Sequence, residues 1–146
     1  MPSGSCAPHD SVSRPAEPAP PADDPPLLSD RLTAWVHGRP SCERAAVAAL
    51  IEEDELLARD CVHRLLVAEH DGAVSCDWPE FENRYTLAPG LTSADKAFLA
   101  LILAIRFPRA VPLWPVELLD DRRLGIVLRA IVALAGSDTI AVGTRS

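Results

Sequence analysis

The sequence lacks an apolar stretch long enough to cross a membrane. Its longest uninterrupted apolar run is AFLALILAI at residues 97–105, whereas a membrane-spanning helix needs about 20 apolar residues. The N-terminal sequence MPSGSCAPHDSVSRPAEPAP also lacks the basic start and the apolar core of a secretory signal. We therefore expect a soluble protein with a cytoplasmic location and no membrane partner.

Sequence motifs of enzymes and cofactor sites are missing as well. The four cysteines, Cys6, Cys42, Cys61 and Cys76, have no CxxC spacing, so we expect reduced thiols rather than a disulfide framework or a zinc site. The chain has no GxGxxG and no GxxxxGK[ST] motif for a nucleotide. Carboxylates are adjacent at residues 52–55, but catalysis needs a sheltered pair. We expect no catalytic residue, no cofactor and no enzymatic activity.

The nearest approach to a metal site is a group of polar residues on one predicted helix. Asp60 and His63 are three positions apart, and such residues are neighbours on a helix surface. His70 lies about two turns beyond His63, too far for both to reach one ion. Arg59 and Arg64 flank the group and would repel a cation. We interpret it as a solvated charged face and expect no metal.

Lysine is almost absent, since Lys96 is the single exception among the 14 basic residues. This arginine-rich, alanine-rich and proline-rich composition is typical of a high-GC bacterial genome, so arginine content alone does not indicate a binding surface. The net charge is −7, yet residues 92–146 carry seven basic and five acidic residues. The acidic remainder would repel phosphate backbones, and we do not expect a nucleic-acid partner.

Proline divides the chain into two parts. Eight of the 14 prolines lie in residues 1–26, where the run PAEPAPPADDPP has no apolar residue larger than alanine. We expect residues 1–26 to form a disordered Pro/Ala-rich arm with polyproline II character, and residues 27–146 to form a single helical domain. Pro18 and Pro21 have PxxP spacing, so the arm is a plain tether or, alternatively, a recognition peptide.

Helical periodicity and capping residues predict an all-α domain, an irregular or orthogonal bundle of four main helices plus a short one, packed around residues 97–105. The four main helices are predicted to begin near Ser41, Asp54, Ser93 and Asp120, the short one near Ser29, and one or two further helical turns near Asp77. A helix unbroken from Ser41 to His70 would place Asp54 inside its apolar stripe, and burying an unpaired carboxylate is costly. We therefore predict a break with Asp54 as N-cap, a solvated corner at residues 52–55, and a following helix that runs to about His70.

The last predicted helix carries apolar residues at helical spacing, as expected for one buried face. These residues are Leu124, Val127, Leu128, Ile131, Leu134 and Ala135. Residues 139–142 are interpreted as a short strand or an apolar tail.

Aromatic residues interleaved with acids form the candidate partner site. Its residues are Trp78, Phe81, Tyr85, Glu80 and Glu82. Exposed aromatic residues with an acidic rim would suit a basic protein partner. The alternative interpretation is a strap that closes one end of the helical core.

The leading functional hypothesis is a non-catalytic protein-protein interaction or adaptor module that docks a protein partner or associates with itself. The alternative is a small DNA-binding transcriptional regulator with a winged-helix-like layout, in which Arg122, Arg123 and Arg129 contact nucleic acid. Two features oppose this alternative: the connection before the last helix is too long for a helix-turn-helix, and Asp120 and Asp121 offer the arginines intramolecular partners.

Overall fold

The computed structural model describes residues 24–107 and 109–143, together with Gly4 and Pro15. The predicted N-terminal arm therefore lies almost entirely outside the described residues. Within them the chain forms seven α-helices and one two-stranded antiparallel sheet. The elements are α1 (Leu28–Val36), α2 (Ser41–Glu53), α3 (Glu55–Ala58), α4 (Asp60–Leu66), β1 (Val67–His70), β2 (Ala73–Cys76), α5 (Trp78–Arg84), α6 (Ser93–Arg106) and α7 (Asp121–Leu134). The prediction of a mostly helical protein is confirmed, and the sheet corrects the all-α class.

Helix α6 lies in the core, as the sequence predicts. It begins with a capping box, in which the Thr92 hydroxyl accepts the Asp95 backbone N–H at 3.1 Å and the Asp95 carboxylate accepts the Thr92 N–H at 2.9 Å. Its buried apolar residues are Ala97, Phe98, Leu99, Leu101, Ile102, Leu103 and Ile105. Helix α6 packs against α2, α7 and two short 3₁₀ turns, Tyr85–Leu87 and Trp114–Leu118. None of the helices in the described ranges combines the length and apolarity that membrane crossing requires.

The predicted break at Asp54 is confirmed. Helix α2 ends at Glu53, and Asp54 has a φ of 50°, a left-handed conformation that stops the helix. The Asp54 side chain does not cap α3. The prediction of a solvated corner at residues 52–55 is wrong for Glu53, which is fully buried. The Glu53 carboxylate instead accepts the Leu56 N–H at 2.8 Å, so it satisfies a free donor in the first turn of α3.

The predicted helix from Asp54 to His70 is also wrong. It is interrupted at Arg59, which has extended backbone angles, and it ends at Leu66. Residues 67–70 then pair with residues 73–76 as a hairpin in which Val67 lies opposite Cys76. Asp71 and Gly72 both have positive φ angles, 51° and 77°, as required by the two-residue turn that Asp-Gly favours. Asp71 and Gly72 therefore form a hairpin turn rather than the end of the predicted helix.

Side-chain caps are predicted correctly at two helices and wrongly at three. Asp77 accepts the Glu80 N–H at 3.1 Å at the start of α5, and Asp120 accepts the Arg123 N–H at 2.8 Å at the start of α7. Ser29 and Ser41 instead lie inside the first turns of α1 and α2, and their hydroxyl groups do not cap either helix. Asp54 is the third wrong cap. At α6, predicted to begin near Ser93, the capping side chain is that of Thr92.

The face that α7 buries differs from the predicted one. Ile126, Val127 and Ala130 are buried, whereas Leu128 and Ile131 are exposed. The face is rotated because the buried side of α7 packs against both α2 and α6. Residues 139–142 form no strand in the described part of the chain, so the interpretation as an apolar tail holds.

Candidate functional site

A buried charged network joins the end of α2 to the starts of α6 and α7. Arg123 lies between two carboxylates: its Nη2 is 2.8 Å from Asp95 Oδ1, and its Nε donates to Glu53 Oε1 at 3.1 Å. Arg59 donates to the other Asp95 oxygen at 2.7 Å. Glu53, Asp95 and Arg123 are all buried, so each charge has its counter-charge inside the protein. Each carboxylate of the network is thereby held by at least one guanidinium group, and Arg59, 39% exposed, connects the network to the surface.

The electrostatics of the network favour the charged forms. Burial alone raises the pKa of Asp95, but the hydrogen bonds from the Thr92 backbone and from Arg123 and Arg59 outweigh it, so the pKa of Asp95 falls below its ordinary value. Burial alone lowers the pKa of Arg123, and the carboxylates of Asp95 and Glu53 raise it above its ordinary value. An Asp95 that remains ionised is a structural anion here rather than a general acid.

The three arginines of the nucleic-acid hypothesis all contact acidic or carbonyl groups of α2 or α6. Arg122 donates to the Glu53 backbone carbonyl at 2.9 Å and lies 3.5 Å from the Glu53 carboxylate. Arg129 pairs with Glu52. With Arg123 held in the buried network, each guanidinium has an intramolecular partner. The intramolecular interpretation of these arginines is therefore the one that the geometry supports.

A second buried carboxylate, Glu43, lies near the start of α2. It accepts the indole N–H of Trp78 at 2.9 Å and a hydrogen bond from Arg39 Nε at 2.8 Å. Arg106 lies 3.8 Å away and packs over the Trp78 ring. Burial, with a contribution from Glu43, raises the pKa of the nearby Cys76 thiol to about 12. The Cys76 thiol is therefore protonated at physiological pH, which lowers its reactivity because the thiolate is the reactive form.

The predicted partner site is divided between core and surface. Trp78 and Phe81 are fully enclosed, and Phe81 packs on the half-buried ring of Tyr85 with 5.7 Å between ring centroids. These two rings cannot meet a partner in this fold, so the strap interpretation describes them correctly. Glu80 and Glu82 lie at the surface, where they pair with Arg84 and Arg109. The helical spacing of the three aromatic residues was the signal for burial.

The polar residues considered for a metal site do not converge. Asp60 and His63 lie on α4, whereas His70 ends β1 with an exposed side chain beside Asp71. Across residues 24–107 and 109–143, no group of three or more histidine, cysteine or acidic side chains is arranged to hold a metal ion. Cys61 and Arg64, on the same helix, line a surface groove.

Exposed apolar side chains concentrate in the C-terminal region. Among the described residues, all the large exposed apolar side chains except Leu27 and Leu87 lie between residues 111 and 140. They are Val111, Leu113, Trp114, Leu118, Leu128, Ile131, Leu134 and Ile140. On α7, an apolar stripe with i, i+4, i+7 and i+11 spacing, here called the α7 stripe, lies on the side away from the core, where Leu128, Ile131 and Ala135 are exposed and Leu124 is half-buried. It consists of Leu124, Leu128, Ile131 and Ala135.

The exposure of the α7 stripe was not predicted from the sequence, although a signal was present. Residues 124–135 contain a single charged residue, Arg129, so the helix has more apolar surface than one core-facing side requires. An excess of this kind indicates a second apolar face on the helix.

Comparison with known proteins gives no relative from which a role can be transferred. No protein-family model, no curated protein and no solved structure matches this chain. The functional argument therefore depends on the geometry of the described residues.

Proposed function

We propose that this protein is a non-catalytic protein-protein interaction module that associates with a second copy of itself through the α7 stripe. The observation that carries the proposal is the exposure of Leu128 and Ile131, 41% and 47% respectively, on a regular helix face. Exposed apolar patches on a folded protein are typical of interaction sites.

The spacing of the stripe supports a helical partner. Side chains at i, i+4, i+7 and i+11 form one row along a helix, which is the pattern by which helices pack on each other. Leu134, 38% exposed, lies beside the end of this row and widens it. The matching element is a helix with a similar apolar row.

A second copy is the proposed occupant, and the charges at the α7 stripe do not oppose it. The stripe residues carry no charge, and Arg129, the single charged residue in this part of α7, pairs with Glu52 of the same chain. Two copies related by a twofold axis would bring the same uncharged surfaces together, so no like charges would meet at the centre. Elsewhere the net charge of −7 opposes association between copies.

Sedimentation equilibrium over a wide concentration series tests the proposal. We expect the parent chain to form a dimer, and Leu128→Glu combined with Ile131→Glu to lower the association constant by at least about tenfold, since buried apolar contacts would be replaced by two buried charges. Circular dichroism checks that the variant keeps its helices.

Leu27→Glu is the matched control, because Leu27 is an equally large exposed apolar residue outside residues 111–140. It should leave association unchanged. A parent chain that stays monomeric at every concentration would overturn self-association, and so would a dimer that the two stripe substitutions leave intact.

A further inference from the structure

A groove lies between α4 and the segment that follows α5. Cys61 and Leu65 form one wall, four positions apart on a single face of α4. Leu87 and Ala88 form the opposite wall, directly after α5. The groove has a volume of about 550 Å³, within the range of roughly 300 to 1,000 Å³ that is typical of small-molecule sites. Its walls thus offer an apolar surface of suitable size for a short ligand chain.

Two arginines line the same groove, Arg64 on α4 and Arg84 at the end of α5. Their side chains are 80% and 63% exposed, the two highest values among the arginines that form ion pairs in the described residues. The other ion-paired arginines are more enclosed, and Arg123 is 10% exposed. Both groove guanidinium groups therefore remain accessible to a ligand.

The present partners of these arginines hold them weakly. Arg64 is 3.8 Å from Asp60, beyond hydrogen-bond distance, and Arg84 is 3.2 Å from Glu80. All four side chains are exposed, and ion pairs between exposed side chains contribute little to stability. A carboxylate that enters the groove can replace these contacts with hydrogen bonds to guanidinium N–H groups.

We propose that this groove binds a small amphipathic carboxylate, with its apolar tail between Leu65 and Ala88 and its carboxylate at Arg64 and Arg84. The apolar walls account for the tail, and the two accessible cations select an anionic head group. The proposal is independent of self-association, because no residue of α7 lines the groove.

Isothermal titration calorimetry with sodium decanoate below its micelle concentration tests the proposal, and 1-decanol is the neutral matched probe. We expect one decanoate per chain and weaker binding of decanol. Combining Arg64→Gln with Arg84→Gln should weaken decanoate binding by about tenfold or more, because charge-assisted hydrogen bonds are lost. Equal affinity for decanol, or an unchanged affinity in the double variant, would overturn the assignment.

Asp60→Asn should change the affinity for decanoate in the direction opposite to the arginine substitutions. Asp60 lines the groove and competes with the ligand for Arg64, so its neutralisation should tighten decanoate binding. Arg44→Gln is the matched control, since Arg44 is an exposed arginine on α2 outside the groove. An increase for Asp60→Asn with no change for Arg44→Gln places the ligand at Arg64. A decrease for Asp60→Asn, or an equal effect of both variants, contradicts the assignment.

Thiol alkylation tests where the ligand binds, independently of the measured affinity. Cys61 lies in the groove wall, whereas Cys42 lies on α2 away from it. Peptide mapping by mass spectrometry should show that decanoate slows alkylation of Cys61 and leaves the rate at Cys42 unchanged. Equal rates at Cys61 with and without decanoate would exclude this groove as the binding site. Stripe variants of α7 should bind decanoate like the parent, so the two proposals fail separately.

Discussion

Helices α6 and α7 are similar in length and in the way they begin, but not in environment. Each has 14 residues, each begins with a side-chain cap, and each has a long apolar segment. Helix α6 is enclosed by α2, α7 and two 3₁₀ turns, and seven residues of its apolar run are buried. Helix α7 packs on α2 and α6 and leaves the α7 stripe exposed. A long apolar segment therefore forms part of the core in one helix and a candidate interface in the other, because burial depends on how many neighbours surround the helix.

The test with the largest expected effect on stability is the same Leu→Ala substitution in both helices. Leu99 is completely buried in α6, so Leu99→Ala should lower the free energy of unfolding by about 3 to 5 kcal/mol, through lost burial and a residual cavity. Leu128→Ala on α7 should lower it by about 0.5 kcal/mol or less in the monomer, as is usual for surface positions. Urea denaturation at low protein concentration measures both. Equal losses would show that the two helices are buried alike.

The next test compares the first-turn acids of the two helices. Asp95 of α6 is buried between Arg123 and Arg59, so Asp95→Ala removes one of the two carboxylates that neutralise the buried Arg123 and should cost about 3 kcal/mol. Asp121 is the exposed first-turn acid of α7, and Asp121→Ala should cost about 0.3 to 1 kcal/mol. Thermal unfolding of both variants tests whether Asp95→Ala is the more destabilising of the two. A larger loss for Asp121→Ala would mean that the buried network does not hold α6 in place.

Acidification should act on α6 through the same network. The pKa of Asp95 is lower in the folded chain than its ordinary value of about 3.9. Its stabilising contribution is therefore complete above the ordinary value and is lost as the pH falls through the lowered pKa. The free energy of unfolding, measured between neutral pH and pH about 3, should fall less steeply for Asp95→Asn than for the parent. Parallel curves would contradict the assigned direction of the shift.

The smallest expected effect is one that the two helices share. The Thr92 hydroxyl caps α6 and the Asp120 carboxylate caps α7. Thr92→Ala and Asp120→Ala should each cost about 1 kcal/mol, because each leaves one first-turn N–H without its acceptor. Chemical denaturation of the two variants compares them. If only one of the two substitutions lowered the free energy of unfolding, the two caps would not be equivalent, contrary to their similar hydrogen bonds.

Several features that depend on nearby residues were predicted correctly from the sequence, although the caps at Ser29 and Ser41 were not. The caps at Asp77 and Asp120 involve residues three positions apart, and the apolar run at residues 97–105 leaves no polar side for solvent. The break at Asp54 follows from the cost of burying a carboxylate in an apolar stripe. In each case the reason lies within a single turn or a single helix.

The remaining errors occurred where contacts with residues distant in the chain change the local structure. Glu53 is buried because Arg123, 70 positions away in the chain, supplies a counter-charge. The hairpin at residues 67–76 forms because Val67 and Val74 reach the core together, although the sequence before it continues a helical pattern. The candidate groove likewise combines α4 with residues after α5, and no local pattern brings Arg64 and Arg84 to one place.

The sequence by itself determined a mostly helical chain, the central position of α6 and the residues at which three helices begin, because hydrogen bonds and apolar periodicity within a few turns set these features. Tertiary structure decided which carboxylates are buried, which face of α7 is exposed and where accessible arginines gather. Those outcomes depend on the free energy of pairing charges and covering apolar surface between segments that are far apart in the chain.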